Sequence, residues 1–431
     1  MNTDRGNIHV NNAPEKLTNG KRVKVALVGI SGYGDSYLDS LLHDRRAAAV
    51  EIVGLADPAP QRCRRLAELS ARRIPIYPSL TALLNERTVE LVLICSPIHF
   101  HAPQTVQAVE HGAAVLCEKP LAGSLRDARR IVAAHDASRW FVAVGYQWSF
   151  SAAVQALKDD VLRGNLGKPR RLKSLVSFPR GLTYFNRNDW AGRIKTPRGD
   201  DVLDSPVNNA TAHYLHNMLY VLGKTRDSAA NPVSVQAELY RANDIENYDT
   251  AALRVFTDCG AEILFYTTHA MADRIGPLAL YEFENATVEY NADASGAFVA
   301  RFNDGTVKNY GNPNVDRNEK IWQSVAATRG GQTVACHART ALPHTLCAVT
   351  AQQSPGGITV FPAHLRSRIE AGDDSMIVIR GLDLALHDCF ERDLLPSELG
   401  SLPWARASAA VEVPAEPQPA VVERPEAQIP T

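Results

Sequence analysis

The chain lacks an excess of charge of either sign: 46 Lys and Arg against 47 Asp and Glu leave a net charge of −1 over 431 residues. Nothing in that balance calls for nucleic acid or an anionic membrane as a partner. It also lacks any CxxC pair. Its seven cysteines, an odd number scattered from Cys63 to Cys389, argue against a disulfide framework and a zinc knuckle and point to a reducing compartment. No run approaches the ~20 apolar residues of a membrane span. The opening stretch MNTDRGNIHVNNAPEKLTNG has no apolar core of a secretory signal, and no motif returns at a fixed period. A soluble, cytoplasmic protein is expected, long enough for two domains with full hydrophobic cores.

What the chain does have falls into two styles. From Val23 to about Trp148, short apolar runs (VKVALVGI, VEIVGLADP, LVLICSP, AAVLCEKP, FVAVGYQ) alternate with helical stretches such as APQTVQAVEHG and LRDARRIVAAHD. Continuous apolar strands alternating with helices mean a parallel sheet covered on both faces. Beyond Gly167 come longer alternating segments, among them SVQAELYRA, AALRVFT, AEILFYTTHA and ALYEFENATVEYN. Such successive runs predict an antiparallel or mixed sheet. Helices return in NEKIWQSVAATRG, ARTALPHTLCAVTAQQ and GLDLALHDCFERD. The polar residues 1–20 and the Pro/Ala-rich residues 407–431 are expected to be disordered tails.

The first strand runs into VALVGISGYGDSYL, with Gly29, Ser31 and Gly34 on the three glycine positions of G-x-G-x-x-G and Gly32 and Tyr33 between them. Turns without Cβ let backbone amides and a helix N-terminus approach a pyrophosphate. The second strand ends in Asp57, 28 positions after Gly29. A carboxylate there accepts from an adenosine ribose and repels a 2′-phosphate, favouring NAD over NADP; Arg62 is the residue that could instead receive such a phosphate.

The stretch SPVNNATAHYLHNMLYVLG, residues 205–223, reads as one helix capped by Ser205 with Pro206 at its first position. Asn209, His213, His216, Asn217 and Tyr220 share one stripe, and Leu215, Met218, Leu219 and Leu222 lie opposite. The polar stripe has neither the Lys nor the Glu of an ordinary solvated face and, within the stretch, no carboxylate. It is expected to face a substrate. A metal is not expected, since His213 and His216 alone fall short of the three or four ligands zinc requires.

The segments SPIHFHAP after the fourth strand and CEKPLA after the fifth resemble the Gfo/Idh/MocA oxidoreductases, the family of glucose-fructose oxidoreductase and inositol dehydrogenase. The likeness continues through VGYQWSF, AHYLHNMLYVLG and LLPSELGSLPW, spanning Val23 to Trp404. It implies an α/β chain with an NAD(P)-binding Rossmann domain over 21–148. A substrate-binding and oligomerisation α/β domain over 149–406 would follow, built on a large open, mostly antiparallel sheet that pairs copies into homodimers or homotetramers. By the resemblance Lys119 of Glu118-Lys119-Pro120 reaches a substrate hydroxyl beside the nicotinamide and Glu118 lies near its ribose. Ser96 and Pro97 border the nicotinamide with His99 and His101 following, and Gln147 joins the cofactor set.

His213 matches the histidine of the family's D-x-G-x-H-x-x-D helix, whereas Asn209, Thr211 and His216 replace its first aspartate, its glycine and its last aspartate. Lys119, His213 and Asn209 are thus the expected catalytic set, with Trp148, Trp190, Arg193, Asn208 and His216 toward substrate. The implied reaction moves a hydride between nicotinamide and a secondary alcohol of a sugar, cyclitol or related polyol. Redox-neutral epimerisation or elimination on retained NAD, or an inactive ligand sensor, are the alternatives.

Overall fold

The computed structural model describes residues 21–330 and 333–414. Six strands, β1 (Val23–Val28), β2 (Val50–Ala56), β3 (Ile76–Tyr77), β4 (Leu91–Ile94), β5 (Ala114–Cys117) and β6 (Val142–Val144), form a sheet in the order β3-β2-β1-β4-β5-β6. Every pair in it is parallel, as the two-sided apolar runs require. Val28 stands beside Ile94, and Ile94 beside Cys117. The chain therefore leaves β1, β4 and β5 side by side at Gly29, Cys95 and Glu118. That edge, where the strand order reverses, is where a doubly wound sheet opens its ligand crevice.

The second sheet has ten strands. Its path holds β7 (Pro169–Ser177), β8 (Pro232–Arg241), β9 (Thr250–Thr257), β10 (Glu262–Thr268), β11 (Ile275–Phe283), β12 (Ala286–Asn291), β13 (Phe298–Phe302), β14 (Val307–Gly311) and β15 (Ile358–Val360). Their order is β14-β13-β12-β11-β7-β10-β9-β8-β15. Only the β10–β7 and β15–β8 pairs are parallel, so the sheet is mostly antiparallel. A small hairpin of β16 (Arg366–Ala371) and β17 (Asp374–Ile379) stands apart from it. One face of the large sheet packs on the helix Ala212–Val221. On the other, Leu382, Leu386 and Phe390 of the helix Leu382–Arg392 cover Leu264 and Tyr266.

Two sequence boundaries shift. Ile321, Trp322 and Val325 of the helix Glu319–Thr328, and Ala341, Leu342 and Leu346 of the helix Ala338–Gln352, pack in the first core rather than the second. The cores are not contiguous in sequence, because these two late helices turn apolar residues toward the Rossmann sheet, while Cys347, Ala348 and Ala351 of the second helix pack in the other core. The expected tail from 407 also begins too early. β18 (Val411–Glu412) pairs antiparallel with β8, and Ser408 accepts from Gln236 Nε2 through its carbonyl at 2.7 Å. Free backbone groups on the β8 edge give this otherwise featureless segment its ladder. The expectations for residues 1–20 and 415–431 lie outside the described residues. Among the described residues no helix is long and apolar enough to cross a membrane.

Candidate active site

The turn after β1 is built for close approach. Gly29 has φ 79°, and a Cβ there would fall 2.9 Å from the Cys95 carbonyl carbon. A Cβ on Gly34 would sit 1.9 Å from the Gly29 oxygen. The turn feeds the helix Gly34–His43, and Ser31 Oγ is buried in it without a hydrogen-bond partner. An unpartnered hydroxyl in a glycine cradle at a helix start suits a pyrophosphate. Asp57 braces the turn, accepting from Ile30 N at 3.0 Å and Ala59 N at 2.8 Å. Each oxygen keeps a lone pair for a ribose. Arg62 is exposed nearby.

At the β4 exit, Ser96 Oγ donates to Gln104 Oε1 at 2.6 Å. His99 is half-buried with Nδ1 unpartnered. His101 departs from the cofactor role: it is buried, its ring nitrogens 2.8 Å from the Pro120 oxygen and 3.0 Å from the Ser96 oxygen. It ties the β4 and β5 exits together because the carbonyls there have no sheet partner.

Glu118 sits in a buried ionic knot that leaves no local signal in the sequence. Lys320 Nζ, on a fully buried side chain, pairs with Glu118 Oε1. Tyr37 Oη donates to the same oxygen at 2.6 Å, and Lys320 lies over the Tyr33 ring at 5.0 Å. Burial alone would lower the Lys320 pKa, but the Glu118 charge carries it up to about 12. Gly145 leaves room for this carboxylate, since a Cβ there would meet Glu118 Oε1 at 2.8 Å.

Next to it Lys119, which precedes a cis peptide to Pro120, turns the other way. Its Nζ donates to the Asn209 carbonyl at 2.7 Å and to Asn209 Oδ1 at 3.0 Å. The other end of that amide, Nδ2, donates to Asp204 Oδ1 at 2.7 Å. Asp204 is buried and also accepts from Gly192 N at 2.7 Å. Burial brings the Lys119 pKa down to about 8, opposed by Glu118 and helped by Lys320. Such an amine is poised to take or give a proton near neutrality.

The helix of residues 205–223 is not continuous. Ser205 caps it as expected, accepting from Asn208 N. A π-helical turn then spans Pro206–Ala210, and the α-helix begins only at Ala212. The wide turn, closed by Thr211 N to the Pro206 oxygen at 2.9 Å, puts the first asparagines out of phase with the later stripe. Asn209 thus meets Lys119, and no hydrogen bond joins it to His213 among the described residues. His213 is half-buried with Nδ1 unpartnered. Burial, reinforced by Lys119 and Lys320, holds its pKa well below the usual histidine value.

Three expected substrate contacts are instead core. His216 stacks on Tyr146 at 3.8 Å and lies 3.1 Å from Ser149 Oγ. Asn208 is fully buried, with Nδ2 3.5 Å from the Ala122 oxygen. Trp148 is buried against Tyr214, Tyr290 and Phe298, its Nε1 donating to Asn314 at 3.0 Å. Asn217 and Tyr220 are also buried. A helix packed on both sides has no solvated face, and its absent Lys and Glu had that cause. Gln147 stays half-buried. Trp190 lies under Arg187, 5.2 Å from its guanidinium, and Arg193 is exposed.

Residues 23–146 match the model of an oxidoreductase family with an NAD-binding Rossmann fold. That stretch is similar to the Gfo/Idh/MocA oxidoreductases. The inositol 2-dehydrogenase of Rubrobacter xylanophilus is 32% identical over 150 residues, 35% of this chain and 42% of that protein. Inositol 2-dehydrogenase 1 of Saccharopolyspora erythraea is 29% identical over 164 residues, 38% of this chain and 48% of that protein. The chain thus spans less than half the length of these curated relatives. Among solved structures, the WlbA dehydrogenase of Bordetella pertussis, in complex with NADH and UDP-GlcNAcA, aligns over 77% of this chain and 97% of its own. Its TM-score is 0.63 at 18% identity. Levoglucosan dehydrogenase in complex with NADH covers 77% and 96%, with TM-score 0.63 at 16% identity. At these identities the structures show a shared fold.

The Gfo/Idh/MocA helix pattern carries an aspartate where this chain has Asn209, yet a carboxylate is present after all. Asp204 lies just upstream of the polar stretch, outside any helical spacing with His213, and arrives through the turn that precedes Ser205. Sequence periodicity could not place it. Lys320, 202 positions from Glu118, and the arginines Arg180 and Arg187 were likewise missed, because only the tertiary fold brings them to the crevice.

Proposed function

We propose that the chain is an NAD-dependent dehydrogenase or reductase acting on a secondary alcohol of a sugar, cyclitol or related polyol. The observation that carries this reading is the Lys119 amine, desolvated to a pKa of about 8 and aimed by Asn209. The named relatives act on inositol, which agrees with a polyol.

Gly29, Ser31, Gly32 and Gly34 would hold the pyrophosphate, Asp57 the adenosine ribose, and Ser96, Pro97, His99 and Glu118 the nicotinamide end. Bound there, NAD supplies a hydride acceptor. The neutral Lys119 amine takes the hydroxyl proton in the direction of oxidation, and its ammonium returns it in reduction. Neutral His213 donates to or accepts from a second oxygen and so fixes which carbon presents its hydrogen. Asp204 keeps the Asn209 amide turned with its oxygen toward the lysine. Assembly into two or four copies would use the outer face of β12–β14, where Glu289, Arg301 and Val307 are exposed.

The test is direct. The purified chain is mixed with NAD and a panel of inositols and hexoses, and NADH formation is followed for the unmodified protein and Lys119→Met. Turnover of one panel member, lost in the variant while NAD still binds, supports the reading; equal turnover in both contradicts it.

A further inference from the structure

The second arginine of the crevice, Arg180, has no ion-pair or hydrogen-bond partner for its guanidinium among the described residues. It leaves β7 three residues past Ser177, its backbone N–H donating to the His269 oxygen at 3.2 Å. Its charged group lies 4.5 Å from the centre of the Tyr184 ring. Nε is buried without an acceptor. The same guanidinium acts on Lys119, on Tyr184 and on His269, lowering the proton affinity of each. Its charge is therefore felt at the lysine.

The carboxylates nearby are already committed. Asp204 accepts from Asn209 and Gly192 and stands 3.5 Å from Arg187. Glu118 is held by Lys320 and Tyr37. His269, with a pKa of about 3 through burial and the Arg180 charge, is neutral and supplies no anion. Neither Lys119 nor Arg180 thus has a carboxylate in direct ion-pair contact among the described residues, and an oxidised nicotinamide would add a third positive charge. A buried or half-buried arginine left in that state costs stability unless a ligand completes it.

We propose that Arg180 binds a carboxylate on the substrate, so that the polyol is a sugar acid or cyclitol acid rather than a neutral sugar. The inference rests on the dehydrogenase reading and deepens it. One planar guanidinium matches one carboxylate through two parallel hydrogen bonds. A phosphate dianion would call for more donors than this single fork, since Lys119 is engaged by the reacting hydroxyl. The Tyr184 ring beneath Arg180 fixes the plane of the fork.

The experiment titrates the NAD-saturated full chain by calorimetry at fixed ionic strength. The ligands are glucuronate, galacturonate and gluconate, set against glucose, galactose and glucose 6-phosphate. At least one acid is expected to bind about tenfold or more tightly than its neutral counterpart. Arg180→Gln should bring that ratio within about twofold while leaving NAD affinity unchanged, and Arg180→Lys should restore part of it. Three outcomes overturn the proposal: none of the acids is preferred, the preference survives Arg180→Gln in a variant that melts like the unmodified chain, or glucose 6-phosphate binds most tightly. Oxidation of neutral polyols by both proteins would leave the dehydrogenase reading standing without the carboxylate. Failure of the unmodified chain to bind NAD would remove that reading itself.

Discussion

Asn209 bridges Lys119 and Asp204: its Oδ1 accepts from Lys119 Nζ at 3.0 Å and its Nδ2 donates to Asp204 Oδ1 at 2.7 Å. The amide can satisfy both neighbours in one orientation only, so the carboxylate sets which end meets the amine. Asn209→Asp would place two carboxylates against each other. One of them takes up a proton, and the remaining negative charge favours the Lys119 ammonium. The ascending acid limb of the kcat/KM profile for oxidation is expected to move above the value of about 8 that Lys119 has now. A limb that stays in place would separate Asn209 from the lysine.

The cofactor loop gives a second expectation. Gly34→Ala forces a Cβ to within 1.9 Å of the Gly29 oxygen. It should cost about 1–3 kcal/mol, as overpacking does, and weaken NAD binding at the same time. Asp57→Ala should narrow the preference for NAD over NADP. Calorimetry with both dinucleotides checks these together; tighter NADP binding by the unmodified chain would contradict the assignment of Asp57.

The Glu118–Lys320 pair is fully enclosed. Lys320→Met leaves a buried carboxylate uncompensated and is expected to destabilise by roughly 3–5 kcal/mol. Adding Glu118→Gln should recover a substantial part of that loss. Denaturant unfolding of the single and double variants measures the coupling, and additive losses would mean that the two charges do not stabilise one another.

Several histidines are buried neutral. His213 and His216 are held well below the usual value, His344 near 4 and His269 near 3, in each case first by burial. Between those values and about 6.5 the unfolded chain binds more protons than the folded one. Stability is therefore expected to rise with pH through that window and to fall as pH drops below about 6.5. Chemical-denaturation midpoints from pH 4 to pH 7 test the sign. His213→Ala should lower turnover more than it lowers the melting temperature; the reverse would make His213 a packing residue.

The sheets were legible because their strands are written in two different periodicities: continuous apolar runs such as LVLI, and alternation such as SVQAELYR. The positions of Gly29, Asp57 and Lys119 were legible because each lies at the exit of such a strand, where backbone direction fixes its place. The polar stripe was half legible. Its spacing assumed a regular helix, and the π-helical turn at Pro206–Ala210 broke the phase. His216, Asn208 and Trp148 read as site residues because polarity or an aromatic ring looks the same in a crevice and in a satisfied core. Asp204, Arg180 and Lys320 left no local signal, since each owes its position to packing between distant segments.

Most direct for the central claim is the pH dependence of hydride transfer under single-turnover conditions, in the unmodified chain and in Lys119→Met. Neutral amine grows as pH rises through its pKa, so oxidation by the unmodified chain should climb to a plateau with a midpoint at about 8. The reverse reduction should decline over the same range. Lys119→Met should bind NAD within several-fold of the unmodified chain, lose the limb and react about a hundredfold or more slowly. An unchanged rate with the limb still present in Lys119→Met would take the lysine out of the chemistry.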